Sequence, residues 1–174
     1  MQLSVLSLAV LKIYRYLEPM VSSIDRQITT RSYTPECSFG LSMEKTAGEI
    51  IGLTERKIAL INLKVLIDKA IAKLNDNNKK IVILRYIDNL SANEICELLG
   101  VSQRTYFRKS NAAIDAFCRM FAIQNSLHGD ILSKYQKQKW FVNMTGFFDS
   151  VDNEKKDNQL FVCDYLLKNV KHIC

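Results

Sequence analysis

Apolar residues recur along most of this chain at three- and four-residue steps, the pattern of helices that bury one face. Leu3, Leu6, Val10, Ile13 and Leu17 form the first stripe. It predicts a helix that Pro19 ends or kinks near Glu18. A polar stretch over 29–42, containing Pro35 and Gly40, reads as a loop, and helical character resumes at Met43. Leu60, Leu63, Ile67, Ile71 and Leu74 make the next stripe, and Asn75-Asp76-Asn77-Asn78 supplies a break and a cap. A further helix over 79–88 buries Ile81, Leu84 and Ile87.

The pattern is most specific beyond Asn89. Ser91 and Glu94 have the Ser-x-x-Glu spacing of a capping box, which starts a short helix with Ile95, Leu98 and Leu99 facing inward. That helix stops at Gly100, which tolerates the left-handed backbone of a sharp stop. Val101 plugs the turn, and Ser102 caps a fourth helix over about 103–121. Two helices joined by a short glycine-containing turn describe a helix-turn-helix, and small Cys96 lets the two approach closely. The rival for this segment is a helical hairpin bundle that binds no DNA.

Beyond 121, a helix over 129–148 carries Ile131, Tyr135, Trp140, Met144 and Phe147. A charged linker over 151–158 follows, and then a last helix with Leu160, Cys163, Leu167 and Val170 on one stripe. The aromatics Trp140, Phe141, Phe147 and Phe148 read as core; if exposed, they would mark a dimer or polymerase contact. The expected fold is all-α: a helical bundle containing a helix-turn-helix, with additional N- and C-terminal helices. Its parts are an N-terminal helical segment (1–57), the helix-turn-helix domain (58–121) and a C-terminal helical segment (122–174).

Composition narrows the function. With only 6 glycines and 2 prolines among 174 residues, turn chemistry for a many-stranded β protein is scarce. Lysine and arginine exceed the acids by 24 to 18, and the formal charge of +6 favours polyanionic partners. The 5 cysteines are scattered without a Cys-x-x-Cys pair, which argues against a disulfide framework or a zinc knuckle and for a reduced cytoplasm. Two histidines cannot make an all-His metal site. The apolar run over 1–11 lacks a preceding basic residue and a cleavage site, and is about half a membrane span of roughly 20 residues. It reads as a buried helix; a secretory segment or a misassigned start codon are the alternatives. No nucleophile–base pair, phosphate loop or metal-ligand cluster has usable spacing, so no enzyme activity, cofactor or metal is expected.

The run from Leu84-Arg85-Tyr86 through Leu90-Ser91, Glu94-Ile95 and Leu99-Gly100-Val101-Ser102 resembles region 4 of the sigma-70 family. The stretch 102–108, from Ser102 to Arg108, is closer still to phage transcription regulators of the ArpU type. The resemblance covers about 60 residues. It implies a domain that reads the −35 promoter element in the major groove and can touch the polymerase flap. Two departures stand out: 1–57 lacks the acidic and aromatic signature of sigma region 2, and Ser110 stands near a position where many members bury leucine or isoleucine.

A wheel at about 100° per residue separates the faces of the fourth helix without reference to any family. Tyr106, Ser110, Ala113 and Phe117 point to the bundle, with Ile114 beside them. Arg104, Arg108 and Asn111 lie opposite, flanked by Thr105 and Phe107. Arginine can grip guanine O6 and N7 together, asparagine can do the same for adenine, and Thr105 or Phe107 can meet a thymine methyl or a phosphate. Ser102 and Gln103 at the helix start suit phosphate, as do Lys79, Lys80 and Lys109. Arg85 is expected to brace its helix through a carboxylate. These residues predict a sequence-specific double-stranded DNA-binding transcription regulator, bacterial or phage. RNA polymerase and a second copy of the chain are further candidate partners, and no membrane is involved. The rivals are a protein-interaction module that binds polymerase or a sigma factor without reading DNA, and the non-catalytic end of a DNA-processing enzyme.

Overall fold

A computed structural model describes residues 3–33 and 43–150. Those residues form seven α-helices and no strand: α1 (Leu3–Tyr33), α2 (Met43–Ala72), α3 (Asp76–Val82), α4 (Ala92–Leu99), α5 (Gln103–Leu127), α6 (Ile131–Tyr135) and α7 (Lys139–Ser150), with a π-helical turn at Ile83–Ile87. The all-α expectation holds. The linker and helix predicted beyond 150, and most of the loop predicted over 29–42, lie outside the described residues.

Helices α1 and α2 run antiparallel, as their cross-links show. Arg31 pairs with Glu49 at 2.9 Å, Lys57 with Asp25 at 2.6 Å and Lys64 with Glu18 at 3.3 Å, while the Tyr14 hydroxyl donates to Asp68 at 2.5 Å. Burial of the phenol together with the Asp68 carboxylate pushes the Tyr14 pKa up. Between these polar seams the apolar stripes meet. Val10, Leu11, Ile13, Leu17 and Ile24 of α1, with Leu60, Leu63 and Ile67 of α2, are fully buried. The apolar start of the chain is therefore a core helix from Leu6 onward.

Pro19 does not end α1 as the sequence suggests. The helix continues through it to Tyr33. Proline removes one helical hydrogen bond and costs about 3 kcal/mol inside a helix, but Leu17, Met20 and Ile24 on both sides of it are buried. Burying side chains of that size at about 1.5–3 kcal/mol each outweighs the loss.

Helix α5 passes through the centre. It packs against α1, α2, α3, α4 and α6, while α7 returns to α1. Phe117 and Phe121 stack at 5.5 Å between centroids, both without exposed surface. The fourth helix is longer than the apolar stripe predicts, reaching Leu127 instead of 121, because buried Gln124 and Asn125 extend its inner face. Asn125 clamps the chain reversal that follows: its amide donates to Asp130 Oδ1 at 2.6 Å, and its carbonyl oxygen accepts from Leu132 N–H at 3.0 Å. The single helix predicted over 129–148 is two, α6 and α7, separated by a turn at 136–138. Phe141 and Met144 are buried and Trp140 packs against the core, meeting Phe141 edge-on at 5.6 Å.

Candidate nucleic-acid interface

Local devices build the helix-turn-helix, and each follows from residue chemistry. Asn75 caps α3, its side chain accepting from Asn78 N–H at 2.9 Å. The next helix does not run regularly to Asp88. At Val82 it widens into the π-turn, where Asp88 N–H reaches Ile83 C=O at 2.9 Å. Asn89 then takes a left-handed backbone, φ 57°, which asparagine tolerates better than most residues. Arg85 braces this exit, but through the Leu90 carbonyl at 2.9 Å and not through the expected carboxylate. The guanidinium thereby fixes the strand of chain that delivers Ser91 to the start of α4.

Ser91 forms the capping box in both directions: Glu94 N–H donates to its hydroxyl at 3.3 Å, and its own N–H donates to the Glu94 carboxylate at 2.7 Å. These bonds hold the Glu94 carboxyl below its ordinary pKa. At the other end of α4, Gly100 is left-handed at φ 61° and Val101 N–H closes onto Cys96 C=O at 3.1 Å. Ile95 and Cys96 are buried and Leu99 packs against the core, but Leu98 does not face inward as predicted; 59% of its surface is exposed. With eight residues, α4 has too few turns to bury both leucines against one neighbour.

Ser102 caps α5, accepting from Thr105 N–H at 3.4 Å and bonding the Thr105 hydroxyl at 3.0 Å. Gln103 is tied across the turn: its amide donates to Asn93 Oδ1 at 2.7 Å. Asn93 thus joins the two helices of the motif, a role for which the sequence offers only its place in the first turn of α4. Along α5, Tyr106, Ser110, Ala113 and Phe117 are buried. Ser110 is small enough to sit in this interface.

Arg104, Phe107, Arg108, Lys109 and Asn111 are exposed on the first turns of α5, with Thr105 half-buried. Among the described residues, none of Arg104, Arg108 and Lys109 has an ion-pair partner. Phe107 is 54% exposed and meets buried Tyr106 edge-on at 5.3 Å, which leaves its outer face open. Lys80 is exposed and Lys79 half-buried on α3, a helix that packs against α5. No bond connects these two lysines to the α5 face. The arrangement thus offers a row of unneutralised cations and amides on the outward side of a helix whose inner side is locked. Among the described residues, no group of three His, Cys, Asp or Glu side chains is placed to hold a metal ion.

Residues 64–109 match the family model for sigma-70, region 4. The segment is a sigma-70 region 4-like helix-turn-helix. The match runs from the second half of α2 through the first two turns of α5, 46 of the 174 residues. No curated protein and no solved structure matches the chain. Sigma-70 region 4 is a DNA-binding regulatory domain and not an enzymatic family, and RNA polymerase contact fits it as well as DNA does. Among the described residues, no helix is long and apolar enough to cross a membrane.

Proposed function

We propose that this chain is a cytoplasmic transcription regulator of a bacterium or phage that reads double-stranded DNA in sequence-specific fashion. Helix α5 docks its N-terminal half in the major groove. The observation that carries the reading is the pairing of opposite faces on α5: Arg104, Arg108 and Asn111 are exposed, while Tyr106, Ser110 and Ala113 are buried against the bundle. A side chain that cannot swing because its helix is locked can discriminate base edges, at about 1–3 kcal/mol per bidentate contact. Ser102, Gln103 and Thr105 lie at the helix start, where free amides meet phosphate. Lys109, with Lys79 and Lys80, adds contacts that are blind to sequence. Phe107 offers its open face to a thymine methyl. The run from Ser102 to Arg108 supports a kinship with ArpU-type phage regulators, and a unit over 58–121 carries the DNA contact with the flanking segments as support.

Selection from randomised duplexes tests this directly. The wild-type chain should enrich one motif, and Arg104→Ala/Arg108→Ala should lose it. Lys79→Ala/Lys80→Ala should instead keep the motif and show a shallower fall of affinity with salt, since each phosphate contact contributes about 0.9 to the logarithmic slope. Equal, motif-free binding by the wild type and the arginine variant would refute major-groove reading. Exposed Leu98 favours a second use of the same motif, contact with RNA polymerase, which an Arg104/Arg108 variant would leave intact.

A further inference from the structure

Helix α2 shows a second apolar face that the other described residues do not cover. Its inner face is built from Leu53, Leu60, Leu63, Leu66 and Ile67. On the outer side, Ile51, Ile58, Ile61 and Val65 are exposed by 58, 52, 41 and 44%. Their spacing of seven, three and four residues is that of a and d positions in a coiled-coil seam, with β-branched residues at every one. Single exposed aliphatics need no explanation, but four in register over two heptads, broken only by Thr54, mark an interaction surface.

We propose that this stripe is the interface of a homodimer in which two copies of α2 cross antiparallel, with the two-fold axis beside Ile61. Charge selects both the partner and the direction. One edge of the stripe carries Glu55 and Lys69, both exposed, with neutral Asn62 between them. An antiparallel pair whose axis passes beside Ile61, between it and Asn62, sets Ile58 against Val65 of the second copy and brings Glu55 within reach of its Lys69, whose ammonium also lies 2.6 Å from His128 Nε2. Symmetry makes each of these contacts twice. The other edge carries Lys57 and Lys64, which are already neutralised within the chain by Asp25 and by Glu18 and Asp68. A parallel pair would instead give Glu55 no cation of the second copy. This inference does not depend on the DNA reading.

Sedimentation equilibrium of the full chain at micromolar concentration, without DNA, provides the test. The wild type should sediment at twice the 20.0 kDa chain mass. Ile61→Glu, a change at an exposed helix position, should keep the helical spectrum and sediment as a monomer. Glu55→Lys and Lys69→Glu should each weaken association about tenfold. Mixing the two should restore it, since in the mixed pair both cross-chain contacts join opposite charges. In a background with the five native cysteines replaced by serine or alanine, Ile61→Cys should cross-link to itself under oxidation and Ile51→Cys should not. A wild-type monomer, a dimer indifferent to Ile61→Glu, or equal self-linking at 51 and 61 would each overturn the proposal. Association of the mixed variants no tighter than that of each alone would overturn it too.

Discussion

Replacing Gly100 isolates what the turn of the motif demands of the backbone. Gly100 ends α4 at φ 61°, and a Cβ built there meets nothing within 4 Å. Any loss in Gly100→Ala is therefore conformational strain and not a clash. A left-handed residue with a Cβ costs about 1–2 kcal/mol. The less flexible unfolded chain of the alanine variant returns about 0.4–1 kcal/mol of that. The net loss should be about 0.5–1 kcal/mol, or roughly 2–4 °C per kcal/mol of melting temperature for a chain of this size. Asparagine tolerates the left-handed region better, so Gly100→Asn should lose less. Gly48 provides the opposite control: it lies within α2, is exposed, and likewise has open space at its Cβ. There the same exchange to alanine should stabilise by about 0.8–1 kcal/mol through helix propensity. Urea denaturation of the three variants, read by far-UV circular dichroism, gives the signs. Gly100→Ala and Gly48→Ala shifting the midpoint in the same direction would refute the reasoning.

Other consequences can be checked on the same protein. Phe117→Ala, at a fully buried position stacked on Phe121, should cost about 3–5 kcal/mol in the same urea experiment; a loss below 1 kcal/mol would mean that the core is elsewhere. The Nε and Nη1 atoms of Arg56 are buried without a hydrogen-bond partner, and burial lowers the pKa of the guanidinium. Arg56→Met should therefore stabilise, by about 1–3 kcal/mol, and a destabilised variant would reveal a partner. Glu94 titrates below its ordinary value because Ser91 donates to the carboxylate. Its contribution is present above the unfolded-state pKa and disappears as pH falls through the lower folded value. Ser91→Ala should return the Glu94 titration, followed by carboxyl NMR, toward the ordinary range. Asn93→Ala should remove the bond to Gln103 and cost about 0.5–1.5 kcal/mol of stability, measured by thermal melting against the wild type.

The helix-turn-helix was legible because its signals are local. A hydroxyl three residues before a glutamate, a glycine at a helix stop and a second hydroxyl after it specify caps whose partners lie within four residues. The outward position of Arg104, Arg108 and Asn111 followed from the 100° step once Tyr106, Ser110 and Ala113 were assigned inward. Long-range packing decided the rest. Pro19 weakens a helix locally, but the neighbours against which α1 is buried on both sides of it lie on other helices and are not written beside it. The π-turn widens the hydrogen bonding from i+4 to i+5 and leaves the apolar spacing of 81, 84 and 87 unmarked in the sequence. Leu98 and Leu99 are identical to any hydrophobicity scale, and which of the two, about 100° apart on α4, shares the buried face with Ile95 and Cys96 is decided by how that helix packs. The acceptor of Arg85 is a backbone carbonyl, invisible to side-chain reading. Asn93 gave no signal because an asparagine in a first turn reads as solvated unless the next helix is already in place.

The length of α5 has a mechanical meaning. From Arg104 to Gln124 it is one uninterrupted rod of about 30 Å, since each residue advances 1.5 Å. One end carries the outward cations, and the other is pinned by the Asn125 bonds to Asp130 and Leu132. Such a rod behaves as a lever. A tilt of about 5° at the pinned end displaces the arginines by roughly 3 Å at this length, close to the rise of one base pair. In the proposed reading, the register in which the protein meets its nucleic acid is thus set partly at the asparagine clamp, about 30 Å along α5 from the outward arginines.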